Sequence, residues 1–272
     1  MRPASPENAE SLIIACKWAE MGGQMKSFGL TDKGRVRQDN QDSFIIESCT
    51  SKECLLVALC DGMGGAKAGG LASQLSNKAF VSYIYAKLTS RSKRPIDYKT
   101  VLQNACAEAN SVSYEYSQFD AAYNGMGTTI VGGVINENGN GYIINVGDSR
   151  AYHISHRTNS IYQITKDHSL VEELVEFGAI TKEQAKNHPQ RNVITRALGS
   201  DVKVESDYFE FTLQPGDILL LCSDGLSNIV TDLEILDYAN EYQDPELICR
   251  ALISKALNRG ARDNVTVVAV MK

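Results

Sequence analysis

The chain has 272 residues, 43% of them hydrophobic, and a formal net charge of −6. That length suits one large domain or two modest ones with a substantial core, and the acidic balance, without any Lys/Arg-rich stripe, argues against nonspecific nucleic-acid binding. No apolar run approaches the roughly 18 residues of a membrane helix, and seven cysteines without a C-x-x-C pair suggest neither a disulfide framework nor a zinc ribbon. The early apolar run 12–16 is too short for a signal-peptide core and follows acidic residues, so a reduced, cytoplasmic setting is expected.

Residues 1–25 read as an extension with a short amphipathic stretch at 9–21 that ends at Gly22-Gly23. From Met25 the pattern becomes strand-like, at 27–30 and again at 42–46. A strongly apolar run, Leu55-Leu56-Val57-Ala58-Leu59-Cys60, leads into Asp61-Gly62. Residues 68–88 then show helical spacing of Leu71, Leu75, Ala79, Val81 and Ile84. A basic loop ending at Pro95 separates that helix from a second at 98–119. Strands follow at 128–135 and 141–146, and their linker, Asn136-Glu137-Asn138-Gly139-Asn140, has hairpin chemistry because its residues tolerate positive φ. A third strand at 151–154 continues the meander. Residues 165–200 switch to short polar helical pieces around His188-Pro189 and read as an inserted cap. Alternation at 204–211 marks a half-solvated strand, and Pro215-Gly216 turns into the apolar run 218–222. Two helices at 231–242 and 245–258 precede a last strand at 265–270. Hairpin-ordered strands interrupted by paired long helices point to an α+β layered domain, two packed sheets with helices outside them, rather than an alternating parallel sheet.

Three aspartates stand out in that arrangement. Asp61 and Asp224 follow apolar strands, the second through Ser223, and Asp263 stands just before the last strand. The ends of such strands are poorly solvated, so a carboxylate there must be hydrogen-bonded, paired with a cation or bound to metal. No Lys or Arg neighbours Asp61 or Asp224, although Arg262 precedes Asp263. Metal is the leading explanation, set against the blander fact that an Asp-Gly pair after a strand is usually a turn. Other chemistries fail on spacing. Lys67 is out of register for a P-loop, and G-x-G-x-x-G, G-x-S-x-G, C-x-x-x-x-x-R and H-E-x-x-H are all absent. Oxygen-only donors suit Mg2+ or Mn2+, and a pair of such ions activates water and clamps a phosphoryl group without a protein nucleophile.

Longer motifs surround these residues in a fixed order. They are Arg37-Gln38-Asp39-Asn40-Gln41-Asp42-Ser43, Cys60-Asp61-Gly62-Met63-Gly64-Gly65, Gly127-Thr128-Thr129 and Val146-Gly147-Asp148-Ser149-Arg150-Ala151-Tyr152, followed by Thr165-Lys166-Asp167-His168-Ser169, the run 191–199, Cys222-Ser223-Asp224-Gly225-Leu226 and Asp263-Asn264-Val265-Thr266. With them, from about Met25 to its end, the chain resembles the metal-dependent protein phosphatases of type 2C, the PPM family, and most closely their bacterial serine/threonine branch. The resemblance implies a four-layer α-β-β-α sandwich of two antiparallel sheets flanked by helix pairs, a catalytic domain over 26–272, and a flap at 165–200. It implies hydrolysis of phosphoserine or phosphothreonine in proteins by a water bridging two divalent ions, Mg2+ or Mn2+, in opposition to a serine/threonine kinase. Asp61, Asp224 and Asp263 would hold the first ion, Asp61 and the carbonyl of Gly62 the second, and Asp148 with Asp224 a weaker third. Arg37 would grip the substrate phosphate. Asp42 and Asn264 would stand behind the ligands as outer partners.

The partners so implied are phosphorylated proteins and a cognate kinase, with no nucleic acid or membrane, and a monomer is expected. Two other readings stay open: a phosphatase dedicated to one regulatory phosphoserine protein, and a phosphoprotein-binding module with little catalysis. The chain departs from the family pattern at Met63, where many relatives carry a histidine proposed as general acid, at Gln41 in place of a glutamate, and at Ala66 and Gly70. Arg150 is expected to pair with an acidic partner, and Asp167 and His168 to stabilise the base of the cap. Cys60 and Cys222 are expected to be small buried hydrophobes.

Overall fold

The strands that read as unbroken apolar runs are covered on both faces, which is why they lack the polar alternation of a half-solvated sheet. The computed structural model describes residues 25–65, 68–91, 95–119 and 121–272; the 9–21 stretch and Ala66 lie outside them. One sheet has the order β1 (Lys26–Asp32), β11 (Val265–Met271), β10 (Ile218–Cys222), β7 (Arg150–Ser155) and β8 (Ser160–Gln163). The other has the order β2 (Asp42–Cys49), β3 (Cys54–Met63), β5 (Ile130–Asn136), β6 (Asn140–Val146) and β9 (Asp207–Thr212), with the short β4 (Gly127–Thr128) on the end of β3. Every pairing is antiparallel.

Side-chain alternation builds the layers. In β3, Leu55, Val57 and Leu59 meet Leu219 and Leu221 of β10 and Val268 and Val270 of β11 between the sheets. The intervening Leu56, Ala58 and Cys60 point the other way, to helices α1 (Ala68–Leu88) and α2 (Tyr98–Phe119). On the outer face of the first sheet, Ile218, Leu220 and Cys222 pack under α6 (Asp232–Tyr242) and α7 (Pro245–Asn258). Each such leucine or valine contributes about 1.5–3 kcal/mol by leaving water. Cys60 and Cys222 are wholly buried within these layers, as expected. The late helices start where the sequence caps them: Thr231 forms a capping box with Glu234, and Asp244 accepts from two backbone N–H groups just ahead of Pro245.

Several details differ from the expectation. The strand read at 128–135 is broken at Thr129, which leaves β4 and β5 on either side of it. The strand read at 204–211 begins only at Asp207, and β8 and the four-residue helix α5 (Asp224–Ser227) were not foreseen. In the flap, α3 (Leu170–Glu176) and α4 (Lys182–Lys186) are short and capped by Ser169 and Thr181. Among the described residues no helix is long and apolar enough to cross a membrane.

Candidate metal centre

Strand ends from both sheets converge on one edge of the sandwich, around a cavity of about 580 Å3. Asp61 enters it near the end of β3, Asp148 from the turn between β6 and β7, Asp224 from the first residue of α5, and Asp263 from the turn before β11. Arg37 and Gly62 line it as well, as do Asn192 and Ile194 of the flap. Asp42 and Asn264 do not line the cavity. They are buried directly behind it.

A layer of hydroxyl and amide groups fixes this arrangement. The backbone N–H of Asp61 donates to Thr129 Oγ1 at 3.0 Å, while Thr129 N–H and the Thr128 hydroxyl both donate to the Asp61 carbonyl. Breaking the strand at Thr129 is what frees these groups to grip Asp61. Asp42 lies opposite Asp61 in the β2–β3 register. Its Oδ2 accepts from Ser223 Oγ at 2.8 Å and Thr266 Oγ1 at 2.6 Å, whereas its Oδ1 is buried without a hydrogen-bond partner. Asn264 accepts from Gln41 N–H and donates to the carbonyls of Lys33 and Asp39, pinning both ends of the loop that carries Arg37. Gln41, where a glutamate stands in some relatives, donates its amide to the Gly65 carbonyl. At Gly62 a Cβ would overlap the Gly69 carbonyl at the start of α1, so only glycine lets the turn and the helix approach this closely.

The electrostatics are lopsided. Burial, reinforced by Asp42 and Asp224, holds the Asp61 carboxyl well above the usual carboxylate range. Burial and Asp224 push Asp148 to about 8; burial and Asp263 push Asp224 to about 6. Asp42 rises to about 7 through burial, against the pull of its Thr266 and Ser223 hydrogen bonds. Arg37, the one basic side chain lining the cavity among the described residues, donates from Nη2 to Asp263 Oδ2 at 2.8 Å. With side chains 52% and 38% exposed, that pair is a weak one. Thus Arg37, expected at a substrate phosphate, is here turned to a carboxylate.

These residues fit hard divalent ions. The donors are all oxygens, they crowd together at the cost of their own ionisation, and a buried Asp42 oxygen has no partner. Among the described residues no three acidic, histidine or cysteine side chains are already drawn into a closed ligand cage; the four carboxyl groups share a cavity, and that of Asp263 is held by Arg37.

The neighbouring flap base is organised differently. Arg150 donates from Nε and Nη2 to both oxygens of Asp167, at 2.7–3.0 Å, and from Nη1 to Tyr152 Oη. Burial opposes the charge of Arg150, but Tyr152 and Asp167 prevail and hold its pKa above the ordinary value. His168 Nδ1 accepts from Gly147 N–H at 3.1 Å, and its Nε2 lies 3.3 Å from Asp207. The structural roles expected for Arg150, Asp167 and His168 therefore hold, and His168 does not line the cavity. What the sequence reading missed is the hydroxyl layer of Thr129, Ser149, Ser223 and Thr266. Its trace was the Gly127-Thr128-Thr129 motif, recognised as a pattern without a role.

A profile of the protein phosphatase 2C family matches residues 32–258. The chain is 38% identical over 241 residues to the serine/threonine phosphatase stp of Listeria welshimeri, covering 88% of this chain and 93% of that one. The crystal structure of serine/threonine phosphatase Stp1 from Staphylococcus aureus superposes with a TM-score of 0.83 at 37% identity, covering 95% and 99% of the two chains. The catalytic domain of the serine/threonine protein phosphatase PstP, solved in complex with two manganese ions, superposes with a TM-score of 0.76 at 33% identity over 91% and 97%. Agreement in sequence and in architecture over nine-tenths of the length leaves one conclusion: the chain belongs to the protein phosphatase 2C family.

Proposed function

We propose that residues 26–272 form a catalytic domain that hydrolyses phosphoserine and phosphothreonine in proteins with the help of Mg2+ or Mn2+. Asp61, Asp224 and Asp263 would hold one ion, Asp61 and the Gly62 carbonyl a second, and Asp148 with Asp224 a weaker third. When bound, the ions supply the positive charge that ionises a water at neutral pH and neutralises the phosphoryl oxygens. The observation that supports this reading is the convergence of carboxyl groups from separate elements on one cavity, which among the described residues Arg37 alone lines with a basic side chain.

The chain's own residues do the rest. Thr128 and Thr129 fix the backbone at Asp61, so its carboxylate is held toward the cavity without reorganisation. Asp42, braced by Ser223 and Thr266, keeps acidic charge behind Asp61. Arg37 leaves Asp263 and takes the substrate phosphate, a bidentate task suited to guanidinium. Met63 lines the cavity and has no proton to give, and no described histidine lines it, so the leaving serine or threonine oxygen takes its proton from water.

Hydrolysis of p-nitrophenyl phosphate and of a phosphoserine peptide, each with Mn2+ and with a chelator, tests the proposal. Activity should require the metal and vanish in Asp61→Asn and Asp263→Asn. Near-normal metal-dependent rates in either variant would end this assignment, and phosphopeptide binding without turnover would favour a binding module instead.

A further inference from the structure

The rim of the cavity beside Arg37 carries positive charge that the proposed reaction does not use. The turn Lys33-Gly34-Arg35 leads straight into Val36, Arg37, Gln38 and Asp39, which line the cavity. It is fastened to the turn ahead of β11: Arg35 N–H donates to the Ala261 carbonyl at 2.8 Å, and the Asn264 amide donates to the Lys33 carbonyl at 3.0 Å. Gly34, at φ +78°, presses so close to the Ala261 and Asp263 carbonyls that a Cβ there would overlap them. Lys33, Arg35 and Arg262 are thereby brought together on one lip, all exposed. None of them makes an ion pair among the described residues. The nearby acids are otherwise engaged or displaced: Asp32 is buried and accepts from Gly34 N–H, Asp263 holds Arg37, and Asp39 stands at the far end of the loop. Asn192 and Ile194, the flap residues that line the cavity, are uncharged.

In a chain of net charge −6, a lip of cations without an ion-pair partner among the described residues, beside an acidic cavity, is matched to a ligand whose anionic groups lie outside the reacting phosphate. We propose that Lys33, Arg35 and Arg262 dock acidic side chains flanking the phosphorylated residue, so that the preferred substrates are acidic phosphoprotein segments. This rests on the proposed phosphatase activity and names the substrate class of that same site. Exposed, solvated charges of this kind act on encounter and register more than on bound-state energy, so the preference is salt-sensitive.

Two phosphoserine peptides of equal length, one with glutamates around the phosphoserine and one with glutamines, are compared by kcat/KM with Mn2+, with p-nitrophenyl phosphate as a control for the chemistry. The acidic peptide should be favoured about fivefold at low salt, and the advantage should shrink toward unity near 0.5 M NaCl. Lys33→Glu/Arg35→Glu should erase the preference while p-nitrophenyl phosphate turnover and the melting temperature stay unchanged; Lys33→Ala/Arg35→Ala supplies the same comparison should the reversal fail to fold. Equal kcat/KM for the two peptides in the unmodified protein, or a charge reversal that slows both alike, overturns the proposal. Faster turnover only when a second phosphoserine replaces the glutamates assigns the lip to phosphate anions and overturns the acidic-side-chain reading. Failure to hydrolyse any substrate, p-nitrophenyl phosphate included, overturns the phosphatase reading itself and the lip with it.

Discussion

At the base of the flap, Asp167 meets Arg150 and Asp207 meets Arg196 and His168, at distances between 2.7 and 3.3 Å. A few residues away, Asp61, Asp148, Asp224 and Asp263 share a cavity in which Arg37 is the lining cation. Asp148 stands two residues before Arg150, yet burial and Asp224 push it up to about 8, and Arg150, committed to Asp167, offsets only part of that rise. The contrast teaches that buried charge in this molecule is handled in two ways. Where the fold needs a rigid joint, each acid meets a base. Where the fold builds a reactive centre, acids are left in surplus, a state that divalent ions relieve.

Substitution separates the two regions most sharply. Asp61→Asn should lower Mn2+-dependent turnover by about 10²–10³-fold or more while leaving the metal-free melting temperature equal or higher, because it removes a carboxyl whose charge the fold disfavours. A clear drop in metal-free stability would break the contrast. Asp167→Asn should do the reverse: it leaves a partly buried Arg150 without its partner and should cost about 3 kcal/mol in denaturant unfolding, with Mn2+ affinity retained.

Arg37→Ala should lower kcat/KM on phosphopeptides about tenfold to a hundredfold, the worth of charge-assisted hydrogen bonds. Its effect on metal-free stability should be under about 1 kcal/mol, since the Arg37–Asp263 pair is largely exposed. Equal rates for the variant and the unmodified protein would remove Arg37 from the phosphate.

The smallest effect is a trend with pH. Folding raises Asp224 to about 6, Asp42 to about 7 and Asp148 to about 8, all above their unfolded values. Their contribution to stability is therefore present below about pH 4, where both states are protonated, and is lost as pH rises through those folded values. Metal-free melts should show this loss between pH 5 and 8. The stabilisation produced by Mn2+ should grow over the same window, because ions bind the deprotonated acids. Stabilisation by Mn2+ that is flat or falls with pH would show that these groups are not the ones being relieved.

Much of this organisation is legible in the amino-acid sequence. The helix expected at 98–119 has those bounds, and Asp97 caps its start by accepting from Thr100 N–H. The late helices were readable from Thr231 with Glu234 and from Asp244-Pro245. In α1 the periodicity finds the helix and, with Val81 and Ile84 buried, part of its inner face, but Leu71 and Leu75 are only partly buried, while Ser73, Ser76 and Asn77 are fully packed. Those small polar residues let helices and sheet approach closely, with Ser76 bonded to Ser113 at 2.6 Å and Asn77 to Ser43. A hydrophobicity pattern does not carry that information. Likewise Asp61, Asp224 and Asp263 announced themselves at the ends of apolar strands, whereas Asp148, Asp42 and Arg37 emerged only through resemblance. Thr129, Ser223 and Thr266 are silent, since hydroxyl residues are common and what distinguishes these is the distant aspartate each one meets, Thr129 the backbone of Asp61 and the other two the Asp42 carboxyl. The helix α5 was hidden by its own start, because Asp224-Gly225 reads as a turn.

Mn2+ titration of the metal-free protein by calorimetry, in buffers of differing ionisation enthalpy, bears most directly on the surplus of acids. The account predicts two saturable sites filled with release of protons, and loss of both in Asp61→Asn, which serves each. No saturable Mn2+ binding, or binding unchanged by Asp61→Asn, would contradict it.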